Sequence, residues 1–334
     1  TLAANQIPVI ELIFNNTVLG MVRQWQKLFY ENRFSQTDLD HTTDFPLLAK
    51  AFGVKALVIE KKADIEPVLR EALAGGVPVE VATLPQQGFV PQAEALAAAC
   101  GPNTRAVILN TPNNPTGVCL TAEQLAPLCE VCREKGIVLI ADDIYTAYCF
   151  DTPFVPAAGM PGMAGHVATV HSFSKDYCMS GWRLGYVAAP APLVQKMREI
   201  NDSNVYVAPM VSQRAGLHAL ALRREIFAHV NETYRARAEY VARRVADIPF
   251  LAQPKQQGGL YAFLDIRKTG DTSAAFAQKL LARHGAAVIP GTAFGAAGEG
   301  FVRMALRADI PKLEALFDSV SHDEEWLCAA AGRA

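Results

Sequence analysis

Short apolar runs closed by turn-forming residues, with amphipathic stretches between them, recur along the whole chain. Residues 8–14 are an apolar run that ends in Asn15-Asn16 and read as a buried strand. Residues 19–30 have the spacing of an amphipathic helix. The same reading gives helices at 44–52 and 65–74 and strands at 56–60 and 77–81. Farther on come a helix at 89–100, a strand at 106–110, and a loop at 111–117. Thr121 then opens a helix, with Gln124 in the capping-box position. Gly136 closes that helix, and strands follow at 137–141, 167–170 and 184–189. Helical pattern fills 196–222, and 223–248 reads as one long charged helix. Residues 257–263 read as a strand, and the tail after Ser319 carries no clear pattern. Strands alternating with helices predict a mostly parallel α/β sheet covered on both faces.

Composition narrows the class. The chain has 334 residues, 51% of them hydrophobic, and a net charge of −2. That balance calls for neither nucleic acid nor a charged membrane as partner. No apolar run approaches the length of a membrane span, and residues 1–6 do not form a signal peptide, so a cytoplasmic location is expected. Seven cysteines are scattered, and Cys129 and Cys132 form a C-x-x-C inside a helical pattern with no second ligand pair nearby. They are expected to be reduced structural thiols rather than a metal site.

The chemistry concentrates at residues 171–186, H-S-F-S-K-D-Y-C-M-S-G-W-R-L-G-Y, between two of the predicted strands. Lys175 stands among small and hydroxyl residues, with Arg183 eight positions on. An amine in an apolar setting loses solvation and gains nucleophilicity. Ser172, Ser174 and Arg183 are what a phosphate would want nearby. Taken alone, the stretch could also be a surface lysine beside a capped turn. The S-x-S-K…G-x-R pattern closely resembles the cofactor-lysine segment of the fold-type I aminotransferases.

Asn114, Asp142, Tyr145 and Lys175 each fall just beyond the carboxyl end of a predicted strand, where open α/β sheets place their ligands. Singly, the asparagine would be a turn residue and the aspartate a helix cap. Together they resemble that family's N-P-T-G, D-x-x-Y and S-x-S-K motifs, with Asp143 where the family has a second acid. The resemblance implies pyridoxal 5'-phosphate as cofactor and an amino acid and a 2-oxo acid as substrates. It implies that Lys175 forms the Schiff base and then moves a proton. Asp142 would pair with the pyridine nitrogen, and Asn114 and Tyr145 with the ring's phenolic oxygen. Ser172, Ser174 and Arg183 would hold the phosphate. Arg303, in G-F-V-R-M, would grip the substrate α-carboxylate, its alternative being a plain strand arginine. The family resemblance covers about 82–317 and also implies a homodimer.

Residues 1–81 resemble something else. N-N-x-x-L-G-M-V-R-Q-W-Q-x-L-F-Y is similar to the end of the thiamine-diphosphate-binding domain of acetolactate synthase. There Asn16 and the Val18 carbonyl would face Mg²⁺, with Met21 and Trp25 lining the site. The fourteen residues before Asn15 hold no G-D-G, so no thiamine chemistry and no metal site are expected. Nor do residues 1–81 contain the small-residue loop and helix that cradle the phosphate in complete aminotransferases. Three lost phosphate bonds, at roughly 1.5–3 kcal/mol each, would weaken the cofactor about a thousandfold or more.

The expected organisation is therefore a synthase-like fragment at 1–81, the remainder of a cofactor-binding large domain at 82–200, and an interdomain helix with a small α+β domain at 201–334. Two readings of function stay open at this point. One is an aminotransferase working through Lys175. The other is a non-catalytic chimeric fragment of the two families, joined at the text shared around 75–81.

Overall fold

The computed structural model describes residues 45–51, 56–58, 61, 79–204 and 206–331. The chain folds as two units, Thr1–Val79 and Glu80–Ala334. In the first, helix α1 (Phe45–Ala51) occupies the stretch read as a helix at 44–52. The strand and helix read at 8–14 and 19–30, the helix read at 65–74, and Asn16, Val18, Met21 and Trp25 all lie outside the described residues.

Two expected strands are corrected. Residues 56–58 and 79–81 carry no regular structure. A strand exists only by pairing, and no strand among the described residues takes these segments as partner.

The second unit opens with a further correction. The helix expected at 89–100 begins only at Ala93, as α2 (Ala93–Ala99). Gly88 and Phe89 both adopt left-handed backbone angles, φ 60° and 58°, and Pro91 offers no N–H. Burial of Phe89 accounts for the bend. Its ring packs edge-on to Phe263 and Phe301 with centroids 5.6 and 5.5 Å away.

The main sheet follows the predicted alternation. Strand β1 (Ala106–Asn110) leads to α3 (Ala122–Glu134), which is started by a complete Thr121–Gln124 capping box. Strands β2 (Val138–Asp142) and β3 (Val167–Ser172) lie parallel in the order β1-β2-β3. The four-residue helix α4 (Phe173–Asp176) follows β3 directly, and β4 (Gly185–Ala188) returns antiparallel to β3. Helix α3 buries Leu125, Leu128, Cys129 and Cys132 against Leu139, Ala141 and Val167 of the sheet. The C-x-x-C therefore packs in the core.

Three helices lead away from the sheet: α5 (Ala191–Asn204), α6 (Met210–Ala221) and α7 (Arg223–Ala246). Val230, Ala238, Val241 and Val245 form the buried stripe of α7, at helical spacing. A second, antiparallel sheet has the order β5-β7-β6, from β5 (Tyr261–Asp265), then helix α8 (Ser273–His284), β6 (Ile289–Pro290) and β7 (Phe301–Ala305). Helices α9 (Ile310–Ser321) and α10 (Glu324–Ala331) close the fold. The tail that showed no pattern is thus helical and anchored. Trp326 is 1% exposed, packs on Phe250 and Phe276 at 5.5 and 4.5 Å, and donates from Nε1 to Asp271 at 2.8 Å. No helix among the described residues is long and apolar enough to cross a membrane.

Candidate active site

The carboxyl ends of the three parallel strands form one row. Asn110 stands opposite Asp142, and Asp142 opposite Val170. Asn114 follows four residues after the first, Tyr145 three after the second, and Lys175 five after the third. The sheet therefore brings these side chains to one edge, as the motifs implied.

Asn110 fastens this row. Its Nδ2 donates to the Asp142 carbonyl at 2.8 Å, and its Oδ1 accepts from the Asn114 N–H at 2.8 Å. Sequence reasoning passed over it, although a polar residue ending an apolar strand before a Pro-rich loop was a legible signal.

Asp142 is half-buried, and burial raises its carboxyl above the usual range. Asp143 points elsewhere. It is 2% exposed, its Oδ2 is buried without a partner, and its pKa is pushed up to about 7. Burial is the main cause, followed by the charges of Asp142 and Asp176. Tyr145 is 4% exposed, and its hydroxyl is raised by burial and then by the neighbouring Tyr261.

Lys175 sits in α4. Among the described residues its amine has no hydrogen-bond or ion-pair partner. Its backbone is held firmly. The Tyr148 hydroxyl donates to the Lys175 carbonyl at 2.9 Å. The next residue, Asp176, is fully buried and accepts from Thr146 N (3.2 Å), Thr146 Oγ1 (2.5 Å) and Ala147 N (3.2 Å). One carboxylate thus ties the lysine turn to the turn that follows Tyr145. Burial pushes its pKa up to about 7 against the lowering effect of those bonds.

Ser172 caps α4, accepting at Oγ from the Ser174 N–H at 3.0 Å. The β3–β4 ladder pairs Ser172 with Gly185, and the Phe173 N–H reaches the Leu184 carbonyl at 3.1 Å. That places Arg183 on the backbone adjoining both serines. Arg183 has a left-handed backbone (φ 51°), is exposed, and donates from Nη1 to the Ser180 carbonyl at 3.0 Å rather than to the serines.

Arg303 on β7 completes the set. Its Nη1 donates to Asn114 Oδ1 at 2.9 Å. Its guanidinium lies 4.2 Å over the Tyr261 ring and 4.9 Å from Phe294. Its Nε is buried without a partner. Tyr261 and Phe294 were not singled out from the sequence, although Tyr261 stands in the stretch read as a strand at 257–263.

These donors fit pyridoxal phosphate and an amino-acid substrate. Among the described residues the desolvated Asp142 carboxylate has no cation beside it, the Lys175 amine has no partner, and the Arg303 guanidinium keeps a buried N–H unused. Among the described residues no cluster of ligands suited to a metal ion occurs.

Comparison with known proteins gives the family. The family described as "Aminotransferase class I and II" matches residues 71–319. "Thiamine pyrophosphate enzyme, C-terminal TPP binding domain" matches residues 1–83, so the two matches overlap at 71–83. A putative aminotransferase of Bacillus subtilis is 32% identical over 90% of this chain and 80% of its own length. An arginine–pyruvate transaminase of Pseudomonas aeruginosa is 37% identical over 72% of this chain and 62% of its own. Among solved structures, an aromatic aminotransferase from Pyrococcus horikoshii matches with a TM-score of 0.73 at 33% identity, covering 77% of this chain and 70% of that one. Aspartate aminotransferase from Thermus thermophilus with maleate matches with a TM-score of 0.70 at 30% identity, over 75% and 66%.

Proposed function

The chain belongs to the class I and II aminotransferases, and from that premise we propose that it binds pyridoxal phosphate at Lys175 and moves an amino group between an amino acid and a 2-oxo acid. The observation that carries the proposal is the shared sheet edge: Asn114 and the Lys175 amine on α4 follow one row of strand ends, and Arg303, on β7 of the second sheet, reaches that row through Asn114.

Bound there, pyridoxal phosphate supplies a carbonyl for an amine to attach to and an electron-accepting ring. The remaining tasks belong to the protein. Lys175 Nζ takes the proton from the substrate α-carbon and returns it. Asp142 holds a proton on the pyridine nitrogen, and the gained charge offsets its desolvation. Tyr145 and Asn114 orient the phenolic oxygen. Ser172, Ser174 and Arg183 hold the phosphate, with Arg183 turning from the Ser180 carbonyl. Arg303 offers its unused N–H groups to the substrate α-carboxylate, held flat between Tyr261 and Phe294. The substrates are small molecules, and a homodimer is the assembly proposed from the family resemblance.

The match of residues 1–83 to a different family favours a second reading, in which the chain keeps this site but does not turn over. One experiment separates the two. The purified chain is mixed with pyridoxal phosphate, its visible spectrum recorded, and the adduct fixed with borohydride and mapped. Labelling at Lys175 with turnover of an amino donor supports the first reading, and labelling without turnover the second. Replacing Lys175→Ala is expected to abolish the protein-bound absorbance; an unchanged spectrum would sink the assignment.

A further inference from the structure

Two thiols beside the site have no part in the function above. Cys119 follows the loop that carries Asn114 and is 4% exposed. Its N–H donates to Gln257 Oε1 at 3.1 Å. Cys149 is half-buried and forms an isolated antiparallel bridge with Gly258. Facing side chains in such a pair have their Cβ atoms about 4.5–5.5 Å apart. Gly258 has no side chain, and a Cβ placed there would lie 2.4 Å from the Cys119 Sγ and 2.3 Å from the Tyr148 carbonyl oxygen. The Cys119 sulfur therefore occupies the cross-strand position facing Cys149. The Cys119 Sγ donates to the Gly117 carbonyl at 4.0 Å, and the neighbouring Cys149 thiol, then burial, pushes the Cys119 thiol far up.

We propose that Cys119 and Cys149 are an oxidisable pair that hydrogen peroxide converts to an intrachain disulfide. Cys149 reacts first, being the more exposed; Phe150 and Asp151, the next two residues, line an open groove. Its sulfur attacks a peroxide oxygen, the O–O bond breaks, and the thiol proton leaves with the second oxygen as water. Cys119 then displaces the hydroxyl from the Cys149 sulfur, and its own proton completes a second water. Two thiols and one peroxide give one disulfide and two waters.

The junction where this happens joins the segments that carry the site. Gln257 N and Gly258 N both donate to the Gly117 carbonyl, at 3.2 and 2.9 Å. Phe150 N donates to the Gln257 carbonyl and Gly259 N to the Tyr148 carbonyl, each at 2.9 Å. Asn114, Tyr145 and Tyr261 stand on these three segments. Drawing the sulfurs together shifts the segments and weakens cofactor binding, a coupling that rests on the function proposed above.

The test uses the full chain, loaded with pyridoxal phosphate, exposed to hydrogen peroxide, alkylated and digested with trypsin. The expected product joins peptide 106–133 to peptide 136–175 with the loss of two hydrogens, and dithiothreitol reverses it. It should vanish in Cys119→Ser and in Cys149→Ser, and persist in Cys129→Ser. Oxidation confined to the exposed Cys178 and Cys328, or a cross-link that survives Cys119→Ser, overturns the pair. Spectral titration should show at least threefold weaker apparent affinity for pyridoxal phosphate in the oxidised chain. Equal affinity overturns the coupling and leaves the pair standing. A chain that binds no cofactor in either state overturns both the coupling and the proposed function, while the peptide map still decides the pair.

Discussion

At the scale of single residues, the proposed site separates side chains that would meet ligands from those that hold them in place. Arg303 belongs to the first group, because one N–H is committed to Asn114 while Nε remains unused. Arg303→Lys keeps the charge and loses the planar fork. Loss of one charge-assisted bond, at roughly 1.5–3 kcal/mol, should lower kcat/KM about tenfold to a hundredfold while the melting temperature barely moves. Asp143, buried beside the row, belongs to neither group and gives a pH signature. Its folded pKa, about 7, exceeds the ordinary 3.8, so the native state keeps a proton that the unfolded chain releases. Stability should therefore fall as pH rises from about 4 to about 7, by up to ~1.4 kcal/mol per pH unit, and level off above. Asp176, also raised to about 7, titrates over the same window, so Asp143→Asn should roughly halve the combined slope in thermal melts, and an unaltered slope would refute the assignment. Lys175, Asp142, Tyr145 and Asn114 stood out in the sequence because each lies at or a few residues beyond a strand end in a recognisable motif. Asp176 did not stand out, because its bonds go to Thr146 and Ala147, far from it in the sequence.

At the scale of elements, strands read well where they pair and badly where they do not. Residues 106–110 became β1 as expected, whereas 79–81 had the right composition and no ladder partner. The start of α2 was misplaced because burial of Phe89 overrode the helical pattern around it. The short α4 is the element on which function depends most, and four residues cannot hold a helix unaided. Asp176 and Tyr148 do so from outside. Asp176→Ala leaves three donors on Thr146 and Ala147 without an acceptor. It should cost about 3 kcal/mol or more in denaturant melts and misalign Lys175. Asp176→Asn retains an acceptor oxygen and should be markedly milder; equal losses would argue that the site merely tolerates an acid.

At the scale of the whole molecule, the apolar pattern made the α/β class legible, and the terminal helices escaped because their pattern is set by a few large contacts. Trp326→Ala should cost about 3–5 kcal/mol by opening a cavity against Phe250 and Phe276, measured as a lower denaturant midpoint. The same tryptophan has an optical consequence. The chain contains three, at positions 25, 182 and 326, and the last two differ sharply in surroundings: Trp326 is 1% exposed and stacked between rings, while Trp182 is 43% exposed, seven residues from Lys175. With Trp25→Phe as background, emission should separate into a short-wavelength component from the anchored carboxyl terminus and a long-wavelength one from beside the lysine. The molecule thus carries its own two-colour gauge, one hue following the docking of the last helix and the other the arrival of a coloured cofactor.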